Sequence, residues 1–174
     1  MGVYEEMDGK KDQLEIREYD TAWPAIFSEL ANRVKAHLGP LVAEVEHVGS
    51  TAVPGLTAKP VIDMDVVLAS PSDLPEVIRR LGALGYTNEG ELGIAGREAF
   101  RWPPGESRHH LYVLSAGARE LRRHLAFREA LLADRTIRDA YSELKKNLSR
   151  QFPHDRKAYT EAKSAFIKNI IGDE

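Results

Sequence analysis

The chain has 174 residues, of which 43% are hydrophobic and 29% are charged, so it can build a folded domain and is not a disordered tail. Its formal net charge of -3 is too small to indicate a nucleic acid or a membrane surface as the partner. The absence of cysteine excludes disulfides and thiolate metal sites and fits a cytoplasmic protein.

The chain begins with a polar segment that is followed by a helix. Residues 1–13 are mostly polar and charged, and we expect a flexible N-terminal arm there, ahead of a single domain over residues 14–174. Asp20 and Pro24 are helix-start signals, and apolar residues then recur at helical spacing until a Gly-Pro pair. A helix is therefore predicted over residues 22–38.

Two strands with a turn between them come next. Residues 41–48 are partly β-branched and partly alternating, which predicts a strand that ends at Gly49. Residues 50–56 are small and turn-like. Residues 60–68 are β-branched and apolar apart from two aspartates, so we expect a central strand covered on both faces. No apolar run approaches the ~20 residues of a bilayer span, and no membrane partner is expected.

The middle of the chain predicts a second helix and a hairpin. A Ser-Asp pair at residues 72–73 starts a helix that closes near residues 82–85. Residues 86–88 predict a short strand. The two strands of a long hairpin are predicted over residues 98–102 and 110–114.

The last third of the chain is predicted to be helical. Apolar residues repeat every 3.6 positions, with few helix breakers, over residues 119–133, 137–152 and 156–171. We therefore expect an α+β fold, in which a mixed β-sheet with flanking helices is followed by a C-terminal helical segment over residues 117–174.

Two of the predicted C-terminal helices repeat one pattern. Tyr141 precedes Lys145 by four positions, and Tyr159 precedes Lys163 by the same distance. Residues four apart lie on one face of a helix, so each pair is adjacent in space. Similar packing of two helix surfaces is the favoured explanation of the repeat.

Asp63 and Asp65 are the two aspartates inside the predicted central strand. Because side chains alternate along a strand, both carboxylates point to one face, roughly 6–7 Å apart at Cβ. Two like charges in an apolar strand are costly unless a cation lies between them. Mg²⁺ binds a few carboxylates and leaves its other positions to water and phosphates. The spacing favours a metal–phosphate platform over two solvated residues of an edge strand.

The Gly-Ser turn before this strand offers the complementary half of such a site. Gly49 lets the backbone approach a ligand closely, and Ser50 supplies a hydroxyl and an N–H. Lys59 precedes the aspartate strand and can add a positive charge to the same phosphates. The alternatives are a plain strand-end turn and a surface lysine. The order of strand, Gly-Ser turn, lysine and aspartate strand is more specific than any one element.

An arginine-rich stretch lies between residues 97 and 128. It contains seven arginines against three glutamates. This composition predicts either a solvated, salt-bridged surface or a basic wall that faces a phosphate. Nucleic-acid binding through these arginines is a weaker hypothesis, and it predicts a steep dependence of binding on salt.

The order of these elements resembles a known family. VGSTAVPGLTAKPVIDMDVVL (residues 48–68) resembles the signature of the GrpB family, whose proteins look like members of the wider nucleotidyltransferase superfamily. The resemblance continues in YD and WP (residues 19–20 and 23–24), RHHLYV (residues 108–113), RHLAFR (residues 123–128) and YTEAK (residues 159–163). It covers almost the whole chain and implies a nucleotidyltransferase-like sheet.

The resemblance also implies a site. In nucleotidyltransferases a Gly-Ser turn binds the triphosphate, and a D-x-D strand with a third acid on a later strand binds two metal ions. Asp63 and Asp65 match the D-x-D strand. The third acid is missing, because the later strand reads HHLYVL and offers His109 or His110 instead. We expect His110 to act as third ligand or as base.

The predicted site has two parts. The metal-binding and catalytic residues are Asp63, Asp65 and His110. The phosphate- or nucleotide-binding residues are Gly49, Ser50, Thr51, Lys59, Arg101, Arg108 and Lys163. Arg101 or Arg108 would stabilise developing charge.

The function predicted from the sequence is metal-dependent nucleotide binding, with nucleotidyl transfer from a nucleoside triphosphate to an acceptor. The expected cofactor is Mg²⁺ or Mn²⁺, with no organic cofactor. The expected partner is a nucleotide or another phosphate-bearing small molecule. The alternative is a non-catalytic binding or assembly module that keeps the fold, which the missing third acid favours.

Overall fold

The computed structural model of the protein describes residues 14–172, so the predicted arm at residues 1–13 lies outside the described residues. The helices are α1 (Trp23–Leu38), α2 (Leu74–Ala83), α3 (Arg119–Ala133), α4 (Arg135–Gln151) and α5 (Arg156–Ile171). The strands are β1 (Val42–Val48), β2 (Ile62–Leu68), β3 (Thr87–Gly90), β4 (Arg97–Arg101) and β5 (His109–Ser115). These bounds lie within two residues of the predicted ones.

The strands form one mixed sheet in the order β1-β2-β5-β4-β3. β2 runs antiparallel to β1 and parallel to β5, and β4 runs antiparallel to both β5 and β3. β2 therefore lies inside the sheet, as its apolar composition predicts. The predicted long hairpin is formed by β4 and β5, and it pairs Arg101 with His110.

Helices α1 and α2 cover one face of the sheet. Met64 and Val66 of β2 are fully buried there, in one core with Val34 of α1 and Leu81 of α2. Because side chains alternate along a strand, the two aspartates of β2 face the other side of the sheet. The apolar positions of β2 thus fix the strand in the core and direct its charged positions away from α1 and α2.

Helix α3 covers one end of that second face. Val67 of β2 and Leu114 of β5 are buried against Leu121 of α3. Val67 follows the two aspartates by an even number of positions, so it shares their face. The first turns of α3 therefore lie beside the carboxylates of β2.

The C-terminal helices pack against the segment that follows β1. Val53 and Leu56 are fully buried against Leu131 of α3 and Tyr141 of α4. A short 3-10 turn over Ser50–Ala52 leads into this segment. The C-terminal helical part is therefore built into the same core as the Gly-Ser turn. None of the helices between residues 14 and 172 is long and apolar enough to cross a membrane.

The link between α3 and α4 gives a first testable prediction. The Asp134 carboxylate caps α4 by accepting hydrogen bonds from the backbone N–H groups of Thr136 and Ile137. Replacing Asp134 with alanine leaves these donors without this cap, and we expect a loss of about 1 kcal/mol in the free energy of unfolding. Urea denaturation measures this loss.

A matched control lies on the same helix. Asp139 forms an exposed ion pair with Arg135 at 3.3 Å. Exposed pairs of this kind contribute roughly 0–0.5 kcal/mol, so Asp139→Ala should leave the unfolding curve almost unchanged. Equal losses in the two variants would contradict the capping role of Asp134.

Candidate functional site

Asp63 lies at the start of β2, at the centre of the candidate site. The register of β2 and β5 places it directly opposite His110, which donates from Nδ1 to Asp63 Oδ1 at 2.7 Å. The other carboxylate oxygen, Oδ2, lies against Gly49, where an added Cβ would clash with it. Gly49 has a φ of 73° and a ψ of -174°. A glycine is required here both for the backbone conformation and for the approach of Asp63.

Asp65 is fully buried, and its carboxylate is hydrogen-bonded by a side chain of α3. His124 donates from Nδ1 to Asp65 Oδ2 at 2.6 Å, and its Nε2 lies 3.2 Å from Glu120 Oε1. The second carboxylate oxygen of Asp65, Oδ1, is buried without a hydrogen-bond partner within the described part of the chain. Such an atom is costly unless a ligand or an ion satisfies it.

The charges on α3 follow from these contacts. Burial lowers the pKa of His124, but its hydrogen bonds to Asp65 and Glu120 outweigh burial and raise that pKa to about 9. Burial raises the pKa of Asp65, and its hydrogen bond with His124 opposes this. The hydrogen bond from His124 also lowers the pKa of Glu120. His124 therefore lies between two carboxylates, and both favour its charged form.

Lys145 of α4 lies behind the Gly-Ser turn. Its side chain is almost completely buried, and Nζ donates to Ser50 Oγ at 2.9 Å and to the backbone carbonyl of Thr57. Tyr141, one turn earlier on α4, also hydrogen-bonds with Ser50, and its ring centre lies 4.5 Å from Lys145 Nζ. Burial lowers the pKa of Lys145 to about 6.

Two further lysines share one aromatic ring. Lys59 Nζ lies 4.9 Å and Lys163 Nζ 4.4 Å from the ring centre of Tyr159. Burial is the largest influence on both side chains and lowers both pKa values to about 8, while the nearby carboxylate of Asp63 opposes these shifts. Arg108 and Arg156 also lie close enough to lower the pKa of Lys59.

These three side chains form what we call the lysine cluster, defined as Lys59, Lys145 and Lys163. It draws one side chain each from the loop before β2, from α4 and from α5. Burial disfavours the charged form of each member, and the charge of Lys163 further lowers the pKa values of Lys59 and Lys145. A bound polyanion would restore their charge, so the cluster suits phosphate groups.

The structure brings most of the predicted site together. Gly49, Ser50, Lys59 and Lys163 lie around Asp63, as described above. Thr51 is turned away from them, since its buried hydroxyl is hydrogen-bonded to His47 at 2.9 Å.

The two predicted arginines differ in their placement. Arg108 lies near Lys59 and stacks over Trp102, with 5.7 Å from the guanidinium carbon to the ring centre. Arg101 lies beside His110 in the sheet, but its guanidinium is 3.7 Å from Glu89. The roles assigned to Arg101, to Arg108, to Thr51 and to the other predicted site residues remain predictions.

The two histidines of β5 face opposite sides. His109 is fully buried on the core face, where its Nδ1 donates to the carbonyl of Ser107 and its Nε2 accepts from the Tyr86 hydroxyl, both at 2.7 Å. His110 meets Asp63 on the site face. His110 is therefore the histidine available to the site.

Sequence reasoning missed several residues of this site: Glu120, His124, Tyr141, Lys145 and Arg156. Two signals pointed to them. The Tyr-Lys repeat of α4 and α5 contains Tyr141 and Lys145, and RHLAFR contains His124. The spacing of Glu120 and His124 on one helix face did not predict that His124 contacts Asp65. That contact joins residues far apart in the chain.

The site residues fit a divalent cation only in part. Among the residues from 14 to 172, no group of three His, Asp or Glu side chains is arranged to hold a metal ion. Asp63 and Asp65 supply two carboxylates, and the unsatisfied Oδ1 of Asp65 is one free ligand atom. Mg²⁺ accepts one or two protein carboxylates and takes its remaining ligands from water and phosphates. The pair therefore fits an ion that arrives with a phosphate ligand.

Comparison with protein families and curated proteins gives close matches. The family described as GrpB protein matches residues 13–173. The UPF0157 protein YqkA of Bacillus subtilis is 36% identical over 158 residues, which are 91% of this chain and 46% of that protein. The chain thus spans about half the length of this relative.

Comparison with solved structures identifies the fold. Conserved protein GrpB from Enterococcus faecalis is 36% identical, with a TM-score of 0.81 over 90% of this chain and 94% of that chain. The Cid1 poly(U) polymerase is 14% identical, with a TM-score of 0.52 over 78% of this chain and 43% of that chain. The second likeness shows the fold alone. The predicted α+β, nucleotidyltransferase-like fold is confirmed.

Gly49 gives a prediction on the geometry of the site. Its φ and ψ lie in a region that non-glycine residues avoid, and a Cβ would clash with Asp63. We expect Gly49→Ala to lower the free energy of unfolding by roughly 1–3 kcal/mol. Gly82 of α2 is the control, because a Cβ there meets no atom within 4 Å. Gly82→Ala should raise stability by roughly 0.5–1 kcal/mol.

Lys145 gives a prediction on pH. Its pKa is about 6 in the folded chain, against an ordinary value of 10.5. Between these values the unfolded chain binds up to one more proton than the folded chain, so the free energy of unfolding rises with pH. In Lys145→Met the free energy of unfolding should rise less steeply between pH 6 and pH 9. The decrease in slope corresponds to a loss of up to one proton from the difference in proton binding between the unfolded and the folded chain. Urea denaturation at several pH values measures both slopes.

The exposed Lys157 provides the control for this experiment. Its side chain is 62% exposed, in an ion pair with Glu161. Lys157→Met should keep the slope of the unmodified protein. If Lys145→Met also kept that slope, Lys145 would be charged in the folded chain, which would contradict its lowered pKa.

Proposed function

The chain belongs to the GrpB family, and we propose that it binds a nucleoside triphosphate together with Mg²⁺ or Mn²⁺ and transfers the nucleotidyl group to an acceptor. The observation that supports this proposal is the convergence of the lysine cluster on Ser50 and Asp63. Lysines from three separate elements meet there, beside the paired aspartates of β2. We place this activity in the cytoplasm, in line with the absence of cysteine.

The lysine cluster would bind the phosphates. Lys145 reaches the phosphate region through Ser50, while Lys59 and Lys163 flank Tyr159 and lie near Asp63. A triphosphate carries several negative charges, and neutral amino groups of the lysine cluster would gain protons as it binds. The hydroxyl and the N–H of Ser50 would add hydrogen bonds.

Asp63 and Asp65 would hold the divalent ion. When bound, the ion would offset charge on the phosphate oxygens. Gly49 keeps the turn close enough to Asp63 for the two halves of the site to act on one ligand. The buried position of Asp65 keeps its free oxygen fixed in place.

His110 is suited to act as the base. Its Nδ1 donates to Asp63, so in the neutral ring Nε2 carries a lone pair. The acceptor O–H would lose its proton to Nε2 while its oxygen attacks the α-phosphorus. The bond from the α-phosphorus to the bridging oxygen would break, and pyrophosphate would leave towards the lysine cluster.

A non-catalytic binding module is the second candidate, and one observation favours it. The residues of β5 opposite Asp63 and Asp65 are His110 and Tyr112, so neither position supplies a third carboxylate. Such a module would bind the same ligand and leave it intact. Release of pyrophosphate from the bound nucleotide separates the two candidates, since only the enzyme produces it.

Thermal unfolding with a panel of nucleoside triphosphates, with and without Mg²⁺, tests the shared binding step. At a ligand concentration 100 times the dissociation constant, binding adds about 2.7 kcal/mol. For a chain of this size this corresponds to roughly 5–10 °C. We expect a Mg²⁺-dependent shift that is absent in Asp63→Asn. The control Asp139→Asn, on the exposed face of α4, should keep the shift. No shift with any nucleotide would refute the proposal.

A further inference from the structure

The Gly-Ser turn holds a serine hydroxyl in contact with a buried amine. Lys145 Nζ lies 2.9 Å from Ser50 Oγ, and the side chain of Lys145 is almost completely buried. The hydroxyl of Tyr141 is hydrogen-bonded with Ser50 as well. Tyr141 and Lys145 are four residues apart on α4, so one face of the helix presents both groups to the same hydroxyl. The Ser50 hydroxyl is therefore held by two side chains of a single helix.

The surroundings of Lys145 favour a neutral amine. Its Nζ contacts the hydroxyl of Ser50 and the backbone carbonyl of Thr57, and neither group carries a charge. The ammonium group of Lys163, from α5, repels a second ammonium group there. The ring of Tyr141 favours the charged form, but burial outweighs it and lowers the pKa of Lys145 to about 6. A neutral amine has a lone pair, so Nζ can accept the hydrogen of the Ser50 hydroxyl.

The phenol of Tyr141 completes the arrangement. Burial raises the pKa of Tyr141, so its hydroxyl keeps its proton and can donate to Ser50 Oγ. The hydrogen of Ser50 is then left for Lys145 Nζ. A serine hydroxyl within hydrogen-bond distance of a neutral lysine is a nucleophile–base pair of the kind that performs acyl transfer. Ser50 is half-buried and follows the exposed Gly49, so a reactant can reach it.

We propose that Ser50 is a nucleophile, that Lys145 is its general base, and that the pair accepts the acyl group of an acyl phosphate. The donor carries a phosphate because Lys59 and Lys163, which flank the ring of Tyr159, belong to the same site and bind anions. The inference goes beyond the proposed function and does not rest on it, since the acyl step needs neither a nucleotide nor a divalent ion.

The step balances with the groups that are present and water. Ser50 Oγ attacks the carbonyl carbon, and its proton moves to Lys145 Nζ. The bond from that carbon to the phosphate oxygen breaks, and Lys145 returns the proton to the departing phosphate. The acyl group is now an ester of Ser50. Water hydrolyses this ester, again with Lys145 as base, and releases a carboxylic acid.

Acetyl phosphate is the probe that tests the inference, added to the full chain in the presence of EDTA. The release of inorganic phosphate is measured, and acetylated peptides are located by mass spectrometry. We expect phosphate release above the spontaneous rate and an acetyl ester on Ser50. Hydroxylamine removes such an ester and leaves acetylated lysines intact. The rate should rise with pH to a plateau, with a midpoint near the pKa of Lys145 at about 6.

Two variants separate the nucleophile from the base. Ser50→Ala and Lys145→Cys should each lower the rate of the protein-dependent reaction by roughly 10²- to 10⁴-fold. The chain has no cysteine of its own. Alkylating unfolded Lys145→Cys with 2-bromoethylamine therefore restores an amine at this position, and the refolded chain should regain the rate. Ser164→Ala is the control, because Ser164 is exposed on α5 and donates to the Thr160 carbonyl. It should keep the full rate.

Three results would overturn the inference. The first is a phosphate release equal to that of Ser50→Ala, with no ester on Ser50. The second is an acetyl amide on Lys145 or a phosphoryl group on Ser50, since either one assigns the reaction to other atoms. The third is a rate without a midpoint near pH 6 in the unmodified protein, whether or not the alkylated chain refolds. None of these results depends on nucleotide binding, so the proposed function can fail or hold separately.

Discussion

The carboxyl group of Asp65 lies inside a sheet, in a strand that is covered on both faces, and a charge in that position needs partners within the fold. α3 supplies one through His124, and the position of α3 is in turn fixed by the contact of Leu121 with the sheet. Asp63, two residues earlier, meets His110 of β5 and excludes any side chain at Gly49. The two carboxylates of β2 therefore constrain residues on three other elements: His124 on α3, His110 on β5 and Gly49 in the turn after β1.

The C-terminal helices complete the site rather than extend the domain. α4 and α5 pack against the segment after β1, and each brings one lysine of the lysine cluster to the candidate site. Burial lowers the pKa of these lysines, so their charged forms are disfavoured in the fold, and the anionic ligand of the proposed function would favour them again. Under that proposal, stability and ligand binding would be coupled through the same side chains, and both would respond to pH.

Parts of the site follow from local patterns and parts do not. The two aspartates and the Gly-Ser turn are visible because alternation along β2 and a strand-end glycine have short-range signatures. Lys163 and Lys145 were visible as a repeated Tyr-Lys spacing, yet similar packing of two helix surfaces was the favoured explanation of that spacing. The partners of Asp65 were not predictable, because a hydrogen bond from α3 to β2 depends on how helix and sheet pack.

The sequence by itself determined the helices and strands, the mixed sheet with its buried second strand, and the resemblance to the GrpB family, since periodicity and turn residues act over a few positions. Only the tertiary structure decided that His109 turns into the core while His110 meets Asp63, and that Thr51 turns towards His47. It also decided that His124 of α3 lies between Asp65 and Glu120. These outcomes depend on distances between elements far apart in the chain, which the packing of α3, α4 and α5 on the sheet sets and no local pattern encodes.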